Sequence, residues 1–189
     1  MSYPYATHVW RTRGCKRIAT LKGHTDSVTC IAFTDDTCSP ASVLVATGSA
    51  DQTARVWCAR DQRVLAIFNQ HEDCVVSVAW TPDAKMLASA SWDNTVRLWC
   101  LTSHACLAVL PHGARVPSLC FVPSSGRRGS VLLTGCDDAS LRLWDAESTD
   151  SAVLASAIEA PVECVVFSKD CCFLATISGN TIAVWRPRS

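Results

Sequence analysis

The chain has 189 residues, 49% of them apolar, and its 17 basic residues balance 17 acidic ones. That length supports one well-buried domain, the apolar share is globular rather than disordered, and a neutral total lacks the basic excess of a nucleic-acid binder. No run approaches the roughly 20 consecutive apolar residues of a membrane span, and Met1 to Tyr5 lacks the charged-then-apolar order of a signal peptide.

In chain order, Ala6 to Trp10 reads as a strand ending in Val-Trp, and Arg17 to Leu21 as a second. From Gly23-His24 onward the pattern becomes a series of similar units, with first strands near Val28, Val75, Val116 and Val162. The second unit is the clearest. Val75 to Trp80 alternates apolar residues, and Thr81-Pro82-Asp83-Ala84 marks a turn. Met86 to Ala90 is its second strand, Trp92-Asp93-Asn94 a tight turn into Thr95 to Trp99, and Ala105 to Leu110 a looser fourth strand. No segment carries a sustained 3.6-residue apolar period, so the expected fold class is all-β.

Three registers keep the units in step. An aliphatic-Trp pair closes at Trp10, Trp57, Trp99, Trp144 and Trp185, with spacings of 47, 42, 45 and 41 residues. These match the ~40–45 residues of a propeller blade. His24, His71 and His112 each stand nine residues before an aromatic (Phe33, Trp80, Phe121), and Asp51, Asp93 and Asp138 each stand six before a Trp.

With Gly23-His24 and Trp144-Asp145 as its landmarks, the chain resembles the WD40-repeat β-propeller family over residues 6–185. The resemblance implies four-stranded blades around a channel. The expected organisation is one partial propeller over 1–189, with a remnant at 6–22 and blades at about 23–68, 70–110, 111–156 and 158–185. Departures are Trp-Cys at Trp57 and Trp99, Gln70 and Pro111 in place of the Gly before His, and a last copy without a matching His, with Gly179 near its Asp position.

His24, Thr47 and Asp51 recur as His71, Ser89 and Asp93, and as His112, Thr134 and Asp138. Read cold, these are the parts of a nucleophilic triad. The resemblance implies instead that each set, with Trp57, Trp99 or Trp144, forms a buried structural tetrad. A buried Asp and His are tolerable only when hydrogen-bonded, and a catalytic centre repeated three times would need three pockets. No nucleophile elbow, Walker loop or HExxH helix is present. No catalytic residue is expected, hence no enzyme.

Twelve cysteines without a secretory signal read as free thiols in a reducing cytoplasm or nucleus. There is no CxxC pair, so neither a metal nor any other cofactor is expected.

The expected function is a non-catalytic scaffold that binds other proteins or peptides on one propeller face. In this architecture that face gathers Asp26, Ala50, Asp73, Trp92, Arg115 and Asp137, and Trp92 is the candidate anchor. The opposite face carries longer loops, with extra residues in Asp35–Ser42 and Pro123–Gly129. The alternative is a substrate receptor of a cullin-type ubiquitin ligase, because Leu44 to Arg60 resembles the box by which some WD40 proteins dock on its adaptor. Cys58 stands where that box has Asp or Asn. Gly126-Arg127-Arg128-Gly129 resembles a phosphoinositide-binding motif but has Gly where that motif has Phe or Leu, so a solvated loop is expected and lipid binding is not.

Four blades fall short of the seven usual in the family. A fragment of a longer propeller, a half-ring completed by a second chain, and a short ring all fit. Arg17 to Leu21 is also a candidate fourth strand for the last blade, although Ala6 to Trp10 looks like the third strand of an earlier one.

Overall fold

The computed structural model describes residues 5–34, 43–122, 130–155, 158, 160–168, 170 and 172–186. The loop segments 35–42 and 123–129, including Gly126 to Gly129, lie outside the described residues. Every regular element among the described residues is a β-strand.

Strands β1 (Thr7–Arg11) and β2 (Lys16–Leu21) form an antiparallel hairpin. Three four-stranded antiparallel meanders follow. The first contains β3 (Val28–Phe33), β4 (Leu44–Ser49), β5 (Ala54–Cys58) and β6 (Arg63–Phe68). The second contains β7 (Val75–Trp80), β8 (Met86–Ser91), β9 (Thr95–Cys100) and β10 (Cys106–Pro111). The third contains β11 (Ser118–Phe121), β12 (Val131–Gly135), β13 (Leu141–Asp145) and β14 (Ser151–Ala155). A fourth sheet has three strands, β15 (Val162–Phe167), β16 (Leu174–Ser178) and β17 (Thr181–Trp185). This is an all-β array of propeller blades, and the described residues do not close a ring.

The closure of the last blade by Arg17–Leu21 does not occur. Strand β2 pairs with β1, and among the described residues no strand lies beyond β17. The reason is local: the Gly14-Cys15 turn, with φ of 80° and 46°, joins the two strands directly. Closing so short a loop costs far less entropy than closing one through most of the chain.

The three meanders bury residues on both faces, because each lies between two neighbouring sheets. One side of a sheet carries its Trp and the other carries small or aliphatic residues, and the Trp side of each packs on the aliphatic side of its predecessor. Trp57 packs with Val9, Ala19 and Leu21 of the hairpin. Trp99 packs with Ala54, Val56 and Phe68, stacking on the Phe68 ring at 4.6 Å between centroids. Trp144 packs with Val96, Leu98 and Leu110. The fourth sheet brings Val162, Val165 and Leu174 against Leu133 and Leu141.

Two glycines set the approach distance. A Cβ on Gly48 would lie 2.7 Å from a Val75 methyl and 2.5 Å from the Cys30 sulfur, and one on Gly135 would lie 2.6 Å from a Val162 methyl. Only a residue without a side chain lets the next sheet come this close.

Candidate functional site

The recurring His, hydroxyl, Asp and Trp come together at the edge of each blade, but not to the same degree. In the first, Trp57 Nε1 donates to Thr47 Oγ1 at 2.8 Å. Thr47 Oγ1 lies 2.7 Å from His24 Nε2, and His24 Nδ1 lies 2.8 Å from Asp51 Oδ2. A carboxylate only accepts, so Nδ1 carries the imidazole proton and Nε2 accepts from the threonine. Each buried donor thereby has one acceptor. The second blade repeats the chain with Trp99 to Ser89 at 2.8 Å, Ser89 to His71 at 2.7 Å and His71 to Asp93 at 2.7 Å.

The carboxylates do two jobs. Asp51 Oδ1 accepts from the Thr53 amide and hydroxyl, and Asp93 Oδ1 from those of Thr95. This closes the turn between second and third strands, in which Gln52 and Asn94 have φ of 68° and 65°. Oδ2 holds the histidine and also accepts from the amide that follows it, Thr25 or Glu72. The repeated Asp-x-Thr or Asp-x-Ser at 51–53, 93–95 and 138–140 was the sequence signal for this second role.

Burial lowers the pKa of His24 and of His71, against the raising effect of the paired carboxylate. For Asp51 burial acts upward, but the Thr53, Thr25 and His24 hydrogen bonds outweigh it and bring the carboxyl down to about 2. These groups are held as neutral imidazole and carboxylate, with every proton already committed. A nucleophile would need its hydroxyl proton free to leave and a place for substrate. Thr47 and Ser89 are wholly buried.

The third blade departs from the expected set. Trp144 donates to Thr134 at 3.1 Å, and Thr134 lies 2.9 Å from His112 Nε2. His112 Nδ1, however, lies 3.1 Å from the Leu110 carbonyl and not on Asp138. Asp138 keeps its turn-closing bonds to Ser140 while its Oδ2 accepts from Arg142 at 3.3 Å. Its side chain is 28% exposed, against 4% for Asp51 and 7% for Asp93. Asp138 therefore belongs to an exposed ion pair and not to a buried tetrad. Burial draws His112 down to about 4. Among the described residues of the fourth blade, only the Trp185 to Thr176 bond of the set is present, at 3.1 Å.

Among the described residues no cysteine forms a disulfide. Burial pushes Cys30 up to about 11 and Cys120 up to about 12, so both stay protonated and behave as small apolar residues.

The loops entering each blade and the turns between second and third strands lie together. Amides of the turns bond carbonyls of the entering loops: Ala50 to Ser27, Trp92 to Cys74 and Asp137 to Arg115. Asp26 and Asp73 are exposed, each accepting from the amide of the next residue. Asp137 is exposed as well. Trp92 is 43% exposed, and the exposed Arg115 of the following blade sits over its ring, 4.9 Å from the centroid. The sequence pointed to both residues separately but could not pair them, because they come from different blades.

A family model described as "WD domain, G-beta repeat" matches residues 15–58, 62–100, 104–145 and 150–186. Pre-mRNA-processing factor 19 homolog 2 of Arabidopsis thaliana is 30% identical over 89% of this chain and 31% of its own length. Small ribosomal subunit protein RACK1y of Oryza sativa subsp. japonica is 32% identical over 67% of this chain and 35% of its own. Mitochondrial division protein 1 of Schizosaccharomyces pombe is 34% identical over 72% and 16%. The chain thus spans about a third or less of the length of these relatives.

Proposed function

The chain belongs to the WD40-repeat family, and on that premise we propose that it acts without chemistry of its own, as a platform that docks other proteins or peptides on the face bearing Trp92. The carrying observation is the half-exposed Trp92 ring with the Arg115 guanidinium over it. Trp and Arg are the residue types enriched at interface hot spots. Here both are anchored by backbone bonds of the turns, at Trp92 to Cys74 and at Asp137 to Arg115. Groups fixed before binding lose little entropy on binding. Asp26, Asp73 and Asp137 form the polar rim of this surface.

Two further points support a docking role. The His and hydroxyl groups are spent on internal hydrogen bonds, and one relative is named as a constituent of the small ribosomal subunit, an assembly. The relatives' names also accord with a cytoplasmic or nuclear setting. The ligase-receptor alternative has less behind it. Cys58 turns its thiol to Asp61 at 3.6 Å, and no relative cited above is named as such a receptor.

The test is recovery of bound proteins by the tagged chain, with Trp92→Ala beside the parent. The expected result is a loss of about tenfold or more in at least one stoichiometric partner, with the unfolding midpoint unchanged. Undiminished recovery of every partner would remove Trp92 from the site.

A further inference from the structure

The loop face around Trp92 is acidic, in a chain whose charges balance overall. Its entering loops and turns carry four exposed carboxylates, Asp26, Glu72, Asp73 and Asp137. Against them stand Arg115 and, where the first loop begins, Lys22. The turn aspartates Asp51, Asp93 and Asp138 leave this balance unchanged, because each of the three meanders adds one arginine on its third strand, Arg55, Arg97 or Arg142. Hydrogen bonds hold the loops that bear the exposed carboxylates against the Trp92 turn. Ser91 Oγ donates to the Asp73 carbonyl at 3.0 Å, and the Trp92 amide donates to the Cys74 carbonyl at 3.0 Å. On the other side, the Asp137 amide donates to the carbonyl of Arg115, whose guanidinium covers the ring. The Glu72 amide donates to Asp93, the residue after Trp92. Asp26 belongs to the preceding blade, yet its field reaches the same place. Burial pushes the Cys74 thiol up, and Asp73, Asp26 and Asp51 push it further. Among the described residues, neither Arg115 nor any of the four carboxylates is in an ion pair.

Given the docking role proposed above, on which this rests, we infer that the face takes a basic segment of a partner protein. An arginine or lysine side chain of that segment lodges between the Trp92 ring and the carboxylates of Asp73 and Asp137. Two independent features select a cation. The ring already accepts one, since the Arg115 guanidinium sits 4.9 Å from its centroid, and Trp92 is still 43% exposed, which leaves ring surface for a second. The unpaired carboxylates supply the complementary charge, which steers a basic segment to the face and repels an acidic one. An acidic segment would gain Arg115 and meet the carboxylates of Asp73 and Asp137 on either side of it.

Fluorescence anisotropy of labelled glycine-serine peptides, titrated with the full chain, tests this. One peptide carries arginines, and matched peptides carry glutamates or alanines in their place. The expected result is binding of the arginine peptide alone, weakening as salt is raised. Asp73→Asn combined with Asp137→Asn should weaken it about tenfold, as for two part-exposed charge pairs. Asparagine keeps an oxygen for the Cys74 amide that Asp73 now receives. Glu72→Gln takes the place of Asp73→Asn should the unfolding midpoint show that loop disturbed. Trp92→Ala should weaken the arginine peptide as well. An arginine peptide that binds no better than the alanine one overturns the proposal, as does tighter binding of the glutamate peptide. So does binding that neither the paired Asn substitutions nor Trp92→Ala changes. Recovery of proteins by the same tagged variants separates this from the docking role. Partners lost with Trp92→Ala but kept by the Asn variant refute the basic segment and leave the docking role standing, whereas partners kept by both remove the docking role itself.

Discussion

The second and third meanders each carry a His, a hydroxyl residue, an Asp and a Trp at matching positions, yet only one of them builds the full network. In the second, Asp93 divides its oxygens between the turn and His71. In the third, Asp138 keeps the turn and gives its other oxygen to Arg142, while His112 falls back on the carbonyl of Leu110. A histidine's need for an acceptor is met either way. What differs is the carboxylate, buried and fully engaged in one sheet and part-exposed in the other. Matching residues therefore specify which groups can meet, and the packing around each set decides which do.

The largest effect expected from this contrast is on stability. Asp93→Ala leaves the buried His71 Nδ1 proton without its acceptor, at about 1–3 kcal/mol, and removes the Thr95 and Glu72 bonds, at about 1 kcal/mol each. Asp138→Ala removes an exposed ion pair and the two turn bonds from Ser140, and should cost about 1–2 kcal/mol. Urea unfolding of the two variants beside the parent measures the gap, and equal losses would break the comparison.

The next effect is on acid stability, and its sign follows from the shifts. His112 is lowered by burial from 6.5 to about 4, so its contribution is fully present above pH 6.5 and is lost as the pH falls toward 4. His24 and His71 shift in the same direction. Asp51 is lowered from 3.8 to about 2, so its contribution is present above pH 3.8 and is lost as the pH falls toward 2. The unfolding midpoint should then fall in two stages on acidification. His112→Asn should flatten part of the upper stage and leave the lower one intact, which thermal melts between pH 7 and pH 2 would read.

The smallest effect separates the turns. Gln52, Asn94 and Ala139 occupy one position of the same turn, with φ of 68°, 65° and 62°. Left-handed backbone costs a residue with a Cβ roughly 1–2 kcal/mol, and alanine has no polar side chain to offset it. Ala139→Gly should therefore gain about 0.5–1 kcal/mol, after the greater unfolded-state freedom of glycine is deducted. No gain in urea would place the strain of the third turn elsewhere.

Much of this was legible in the sequence. The repeat of aliphatic-Trp pairs, histidines and aspartates set the number of strands per unit, and alternation within strands set which residues face inward. Trp92 and Arg115 were each placed on the loop face from their position in the repeat. The fate of Asp138 was not legible. Its position and type match Asp51 and Asp93, and only the geometry shows its Oδ2 on Arg142 and not on His112, whereas Asp51 keeps His24 with Arg55 3.6 Å away. The cation–π pair of Trp92 and Arg115 was likewise out of reach, since it joins residues of neighbouring blades.

The sequence by itself determined the blade, because periodicity, turn residues and hydrogen-bonding types act over a few residues and recur. The tertiary structure alone decided how blades meet. Trp57 and Trp10 have the same residue type at the same repeat position, and one is buried while the other is open. Among the described residues, the hairpin lies against Trp57 and no sheet lies against Trp10. Burial is a property of neighbours in space, and a repeat pattern describes only the unit that is repeated.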